Sequence, residues 1–452
     1  MAKARAKYTC QQCGATFQRW MGRCTNCGEW NSLVEVAPEP EATGKSAVAR
    51  SAGHEIKAER ISDVKIDKVS QRIDTGIPDL NTVLGGGLMS GGVTLIAGQP
   101  GIGKSTILMQ ISSFVAKNKN VLYASGEESA SQVKLRAERL GATSADNLFL
   151  TSTTSADDVA ATIASGEYDV AIVDSMQTMS MAEISSAPGT VSQITNCANI
   201  IIRAAKRANT SVILVGHITK QGSIAGPKVL EHLVDVVLSF EGDRYGGFKM
   251  IRAVKNRYGS TSEVAIFDMT DKGLKPVKNP SAALLAERSN TDGSIVLATM
   301  EGNRPLLVEI QALVNKSNFG YPKRAASGFD SNRLTLLVAV LERRTKLNLS
   351  DKDIFINVVG GLKLNDRATD LAVCMAIASA AAERKLNDGY VVFGEIGLGG
   401  EIRSVTLPER RIAEAKKLGF THAIGPKSAA KGNDFVIPAT DLRDALNQHL
   451  RR

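Results

Sequence analysis

Gly98-Gln99-Pro100-Gly101-Ile102-Gly103-Lys104-Ser105 satisfies GxxxxGK[ST] at every required position. The β-branched run Val93–Ala97 leads into it and Thr106–Lys117 reads as a helix, which is the strand–loop–helix setting such a loop needs. Its glycines let backbone N–H groups turn inward on a phosphate, beside a helix N-terminus that carries about +0.5 charge. Lys104 is then expected to reach the β- and γ-phosphates of ATP, Ser105 to hold Mg²⁺, and Thr106 to complete the cradle. Average composition produces this pattern by chance in about one chain of this length in fifty. A bare glycine-rich turn is the poorer reading.

Outward from this loop, short apolar runs bounded by turn residues recur at Val121–Ala124, Val170–Val173 and Val212–Val215. Continuous runs of this kind suit buried strands of a parallel sheet, and Ser131–Leu140 is long enough for a crossover helix. The fold class is therefore α/β, with a phosphate-loop ATPase core on a central, mostly parallel sheet. Asp174 closes one of these runs, where a carboxylate can order Mg²⁺. Glu127 and Glu128 follow another, where a carboxylate can polarise an attacking water; Glu127 is the favoured base and Glu128 the alternative.

The 452 residues are too many for one ordinary core. Composition divides them into a cysteine-rich module (1–36), a linker (37–60), the ATPase core (61–283) and a second core with both strand and helix patterns (284–452). No apolar leader and no stretch of about 20 apolar residues is present, so a soluble, cytoplasmic protein without membrane contact is expected. A net charge of +9 suggests a polyanionic partner.

Four of the six cysteines crowd between positions 10 and 27, as Cys10-x-x-Cys13-Gly14 and Cys24-x-x-Cys27-Gly28. In a reducing compartment such crowding favours metal over disulfides or redox pairs. Two CxxC knuckles supply four thiolates, a closed tetrahedral site suited to structural Zn²⁺, with iron as the other metal that such knuckles accept. Cys197 and Cys374 lie in apolar helical stretches and read as core.

Thr75-Gly-Ile-Pro-Asp-Leu-Asn-Thr-Val-Leu-Gly-Gly-Gly-Leu88 is similar to the lead-in of RecA-, KaiC- and DnaB-type ATPases. His217-Ile-Thr-Lys220-Gln-Gly222 ends the next core strand, where such enzymes carry a γ-phosphate sensor and then a DNA-contacting loop. Lys255-Asn256-Arg257-Tyr258-Gly259 resembles the KNRFG signature of the bacterial RadA (Sms) family, with Tyr258 in place of Phe. In the order knuckles, ATPase core, signature, the resemblance to that family covers nearly the whole chain. It implies a DNA-dependent ATPase of recombinational repair, working as a homo-oligomeric, hexameric ring on single-stranded and branched DNA. Its task would be branch migration of joints made by RecA, with the RecA recombinase and the replicative helicase as protein partners. It implies His217 as nucleotide sensor, and DNA contacts from Lys220, Lys228 and residues Lys255, Asn256, Arg257, Tyr258 and Gly259. The loops Met176–Gln193 and Thr219–Lys228 would line the channel, while Lys255 and Arg257 would act on a neighbour's γ-phosphate. A KaiC-like scaffold acting on protein partners is the alternative; stimulation of turnover by DNA separates the two.

Residues 354–452 resemble the proteolytic domain of Lon through Gly360–Leu371 and Gly394–Arg403. On that alignment the nucleophile serine falls on Ala368 and the base lysine near Glu409, so no dyad is expected. The domain is then expected to assemble subunits and to offer DNA a basic surface, with Lys323, Arg324, Arg343, Arg344 and Lys346 as candidates.

Overall fold

The structure, a computed structural model, describes residues 7–10, 16–25, 28–36, 60–62, 72–143, 145–218, 224–225, 229–242, 247–317 and 321–450. Cys13, Cys27, Lys220 and Lys228, and nearly all of the expected linker, lie outside them. The chain forms two compact units, one of residues 1–240, 253–260 and 271–273, the other of 241–252, 261–270 and 274–452. Among the described residues, no helix is long and apolar enough to cross a membrane.

The N-terminal module is a three-stranded antiparallel sheet in the order Thr16–Phe17, Lys7–Cys10, Leu33–Val36. Cys10 and Cys24 are buried together against Leu33. Gly28 takes a φ of +79°, the left-handed turn expected of a knuckle glycine, and its N–H donates to Cys24 O at 2.8 Å.

In the first unit, six strands run parallel in the order Val236–Gly242, Val93–Gly98, Ser211–Ile218, Val170–Asp174, Val121–Ser125, Leu148–Ser152. Val93–Gly98, Val121–Ser125 and Val170–Asp174 are buried along their whole length, as their unbroken apolar runs predict. Leu148–Ser152 has only the short apolar run Leu148–Leu150 and closes one edge half exposed. The chain enters at Val93–Gly98, steps outward to Val121–Ser125, and returns to fill the gap. That order brings the carboxyl ends of four neighbouring strands to one rim, where open α/β sheets bind their ligands.

Helices follow their local signals. Lys104–Val115 begins directly on Gly103, and Ala130–Arg139 starts from a capping box of Ser129 with Gln132. Val191–Ala208 runs from its Thr190 cap to Asn209, which takes the left-handed conformation that ends a helix. The first half of the expected DNA loop after Asp174 is packed instead: Met176, Met179, Met181 and Ile184 are core residues. Gln193 holds that segment by donating to Ile184 O at 3.0 Å and Ser186 O at 2.9 Å. Four large apolar side chains outweigh the Ser, Gly and Pro content that reads as mobile loop.

The second unit centres on a seven-stranded mixed sheet in the order Arg324–Ser327, Lys352–Val358, Arg304–Lys316, Ser294–Glu301, Tyr390–Val392, His422–Pro426, Val436–Ala439. Thr369–Ala382 is buried through all but its last turns, as its apolar, alanine-rich sequence requires. Met250, Val264 and Ile266 belong to this unit's core, so strand residues ahead of 283 pack with the C-terminal half.

Candidate nucleotide site

Lys104 is the buried centre of the site. Its ammonium donates to Gly98 O at 2.8 Å and Gln99 O at 3.1 Å, both carbonyls of the phosphate loop, and lies 3.2 Å from His217 Nδ1. An ammonium has only protons to give, so Nδ1 must accept and the imidazole proton sits on Nε2. That Nε2 is 3.0 Å from Glu127 Oε1, and Ser175 Oγ donates to the same oxygen at 2.5 Å. Four side chains from the loop and three strand ends thus form one chain of contacts: Lys104, His217, Glu127, Ser175.

The electrostatics follow from burial and these partners. Desolvation pulls the Lys104 ammonium down to about 8, against the opposing attraction of Asp174 and Glu127. The hydrogen bond from His217, helped by Ser175 and Lys104, holds Glu127 down to about 2, so it is a carboxylate throughout the neutral range. Glu128 turns the other way: its side chain pairs with Arg136, and its N–H donates to Ser125 Oγ at 3.1 Å. Of the two adjacent glutamates, Glu127 alone faces Lys104 and His217.

Asp174 is buried at the end of its strand and receives Tyr123 OH at 2.7 Å on Oδ2. Burial and the neighbouring carboxylate push the Tyr123 phenol well above its ordinary value, so it stays a donor. The Asp174–Ser175 peptide is cis. Gly101 and Gly103, at φ +78° and +116°, give the loop the curvature that directs its N–H groups inward. The loop, Lys104 with Ser105 behind it, and the Asp174 carboxylate fit a magnesium nucleotide as substrate, and the ionised Glu127 carboxylate stands on the same rim. Tyr123 and Ser175 have no sequence signal: each reads as packing or turn in a strand or at its end.

The Lys255–Gly259 stretch is elsewhere. Lys255 lies within the strand Lys249–Asn256 rather than at the tip of a turn. Its ammonium donates to Glu231 O and Val234 O, each at 2.7 Å, at the end of the short helix Val229–Leu233. Arg257 pairs with Asp235 at 3.0 Å. Asn256 Nδ2 donates to Val83 O, and its Oδ1 receives the Tyr258 N–H at 2.8 Å. Arg72 completes the clasp by donating to Leu84 O at 3.0 Å and Tyr258 O at 2.7 Å. Here two main chains touch: a Cβ on Gly85 would lie 2.8 Å from Tyr258 O, and one on Gly259 would lie 2.8 Å from Gly85 Cα. Asp235 also accepts the Val93 N–H at 3.1 Å, so the stretch adjoins the foot of the phosphate-loop strand, whose other end carries the nucleotide loop. No fixed motif spacing marks Asp235 or Arg72 in the sequence.

In the second unit Ala368 is buried and Glu409 exposed. The buried cation is Arg411, two residues on, which pairs with Asp366 and donates to Ala298 O at 2.8 Å. Thr369 Oγ1 is buried without a hydrogen-bond partner, and no serine or lysine stands at either dyad position.

Comparison with known proteins agrees with this architecture. A family described as an AAA domain matches residues 58–223, one described as a rubredoxin metal binding domain matches 8–35, and one described as subunit ChlI of Mg-chelatase matches 332–429. The DNA repair protein RadA of Halalkalibacterium halodurans is 45% identical over 461 residues, covering 100% of both chains. The Listeria monocytogenes protein of that name is 47% identical, covering 95% of this chain and 94% of the relative. The one from Pseudomonas aeruginosa is 45% identical, covering 99% of each.

Proposed function

Because the chain belongs to the RadA family of DNA repair proteins, we propose that it is a DNA-dependent ATPase of recombinational repair. It acts in the cytoplasm as a homo-oligomeric, hexameric ring on single-stranded and branched DNA and drives branch migration of joints made by RecA. The observation that carries the reading is the contact chain Lys104–His217–Glu127. It ties the phosphate-binding lysine and the base to the last residues of a strand that runs into 219–228, the segment assigned to DNA. A change at that loop can therefore reach the base through His217. In this reading Ser105 and Asp174 hold Mg²⁺, Gly98 to Thr106 cradle the phosphates, and Lys255 and Arg257 serve a neighbouring subunit. Lys220, Lys228 and Asn256 to Gly259 meet DNA.

The buried thiols of Cys10 and Cys24 fit a thiolate site, which we assign with Cys13 and Cys27 to Zn²⁺. The Lon-like domain (284–452) is not a protease, since Ala368 offers no nucleophile, and it serves assembly and DNA. RecA and the replicative helicase are its protein partners.

ATP turnover measured with and without single-stranded DNA across a salt series tests the proposal. Stimulation that weakens as salt rises is expected. Equal rates with and without DNA at every salt concentration would refute it and leave a nucleotide-switched scaffold.

A further inference from the structure

The chain has two tryptophans, Trp20 and Trp30, and both stand in the cysteine module. Indoles are usually well buried, yet these are 55% and 67% exposed. They are also neighbours: a Cβ placed on Gly22 would lie 3.7 Å from Trp20 Cη2 and 4.0 Å from Trp30 Cζ3. The backbone holds them there. Arg23 and Trp30 form an antiparallel bridge, and Asn31 N–H donates to Gly22 O at 2.8 Å. Arg23 donates to Gly28 O at 2.7 Å, with its guanidinium 5.7 Å from the Trp30 ring centre. Arg19 adds an exposed cation beside Trp20. Over residues 1–36, five basic residues (Lys3, Arg5, Lys7, Arg19, Arg23) face two acidic ones (Glu29, Glu35).

Two exposed aromatic rings on a small, cationic module match one ligand chemistry closely. Unpaired nucleobases stack on indole, while arginines take the phosphates between them. A protein partner with an apolar patch would use the rings but not the excess of positive charge. We infer that Trp20 and Trp30 form a stacking platform for unpaired bases of single-stranded nucleic acid, separate from the channel loops. This rests on the DNA-binding reading above. It gives the metal module a ligand of its own.

The rings are the chain's own fluorophores. Full-length protein and its Trp20→Phe and Trp30→Phe variants, each with one indole left, are titrated with a thymidine oligonucleotide, a duplex of equal length and an abasic oligonucleotide. Emission should be quenched by the thymidine strand, and by neither of the other two. Trp20→Ala and Trp30→Ala should each weaken single-strand affinity roughly tenfold, with bound metal unchanged and with Trp→Tyr restoring most of the loss. Unchanged emission and unchanged affinity in both alanine variants, while the parent protein binds the strand, would overturn the platform and leave the core reading intact. Equal quenching by the abasic strand would overturn it too. Absence of strand binding by the parent would refute the DNA reading itself.

Discussion

Arg257 reaches the buried carboxylate of Asp235 at 3.0 Å, and the same carboxylate accepts the Val93 N–H at the foot of the phosphate-loop strand. The arginine side chain nevertheless keeps 54% of its surface. Without Arg257, Asp235 keeps Lys206 at 3.8 Å and the Val93 N–H, so losing the half-exposed arginine should cost only about 0–1 kcal/mol. Arg257→Ala should therefore keep its melting temperature and ATP affinity but lose about 10³-fold in DNA-stimulated turnover, as for a cation supplied in trans. Mixing it with Lys104→Ala protein should recover part of the rate. Normal turnover by Arg257→Ala alone, with no rescue in mixtures, would remove the trans role.

Lys104→Ala should bring turnover below detection, and Lys104→Arg should do the same, because a forked guanidinium does not fit the place of an ammonium held by Gly98 O and Gln99 O. The lysine also gives a pH signature. With its pKa near 8, it loses its charge as pH rises through that value. Bound polyphosphate favours the charged form, so ATP affinity should fall above pH 8, with proton uptake on binding. Calorimetry in buffers of differing ionisation enthalpy measures it; affinity flat from pH 7 to 9.5 would contradict the assignment.

Glu127→Gln should bind ATP yet turn it over about 10²–10⁴ times more slowly, the usual worth of a positioned base. Glu128→Gln removes a pairing with Arg136 and should change turnover only a few-fold. Single-turnover hydrolysis on both variants decides it. The reverse ranking would move the base to Glu128.

Cys10→Ser and Cys24→Ser should each release one metal ion per chain, read by elemental analysis, and should leave cooperative unfolding of the ATPase core in place. Freshly purified parent protein containing neither zinc nor iron would refute the site.

Asp366→Asn should cost about 3–5 kcal/mol in denaturant unfolding, because it strands the buried Arg411 guanidinium. Burial raises the Asp366 pKa, but the Arg411 hydrogen bond and charge outweigh it and hold it below the ordinary value. Its contribution is thus full above the unfolded carboxylate's pKa and is lost as pH falls through the folded one. A pH-independent difference between parent and variant below pH 5 would disprove that coupling.

The parts of the site legible in sequence are those with fixed spacing from a strand end. The phosphate loop, Asp174 and Glu127 are legible because a parallel sheet must deliver successive strand ends to one rim, whereas His217 is marked by the resemblance to RecA-type ATPases. Tyr123 is not, since a tyrosine inside Val121–Ser125 looks like packing until Asp174 is seen beside its hydroxyl. Lys255 stands at the end of its strand, but nothing in the sequence shows that its ammonium reaches carbonyls of Val229–Leu233 and the segment beyond. Leu148–Ser152 carries no buried run because an edge strand needs none.

The contact of Gly85 with Gly259 has a genetic consequence. What a new side chain at either position would strike first is backbone, Tyr258 O in one case and Gly85 Cα in the other. Trimming a neighbouring side chain cannot relieve that collision. A Gly85→Ala or Gly259→Ala allele should therefore yield true revertants at the mutated codon and almost no intragenic suppressors, whereas a defect at a side-chain contact such as Asp235–Arg257 remains open to second-site repair.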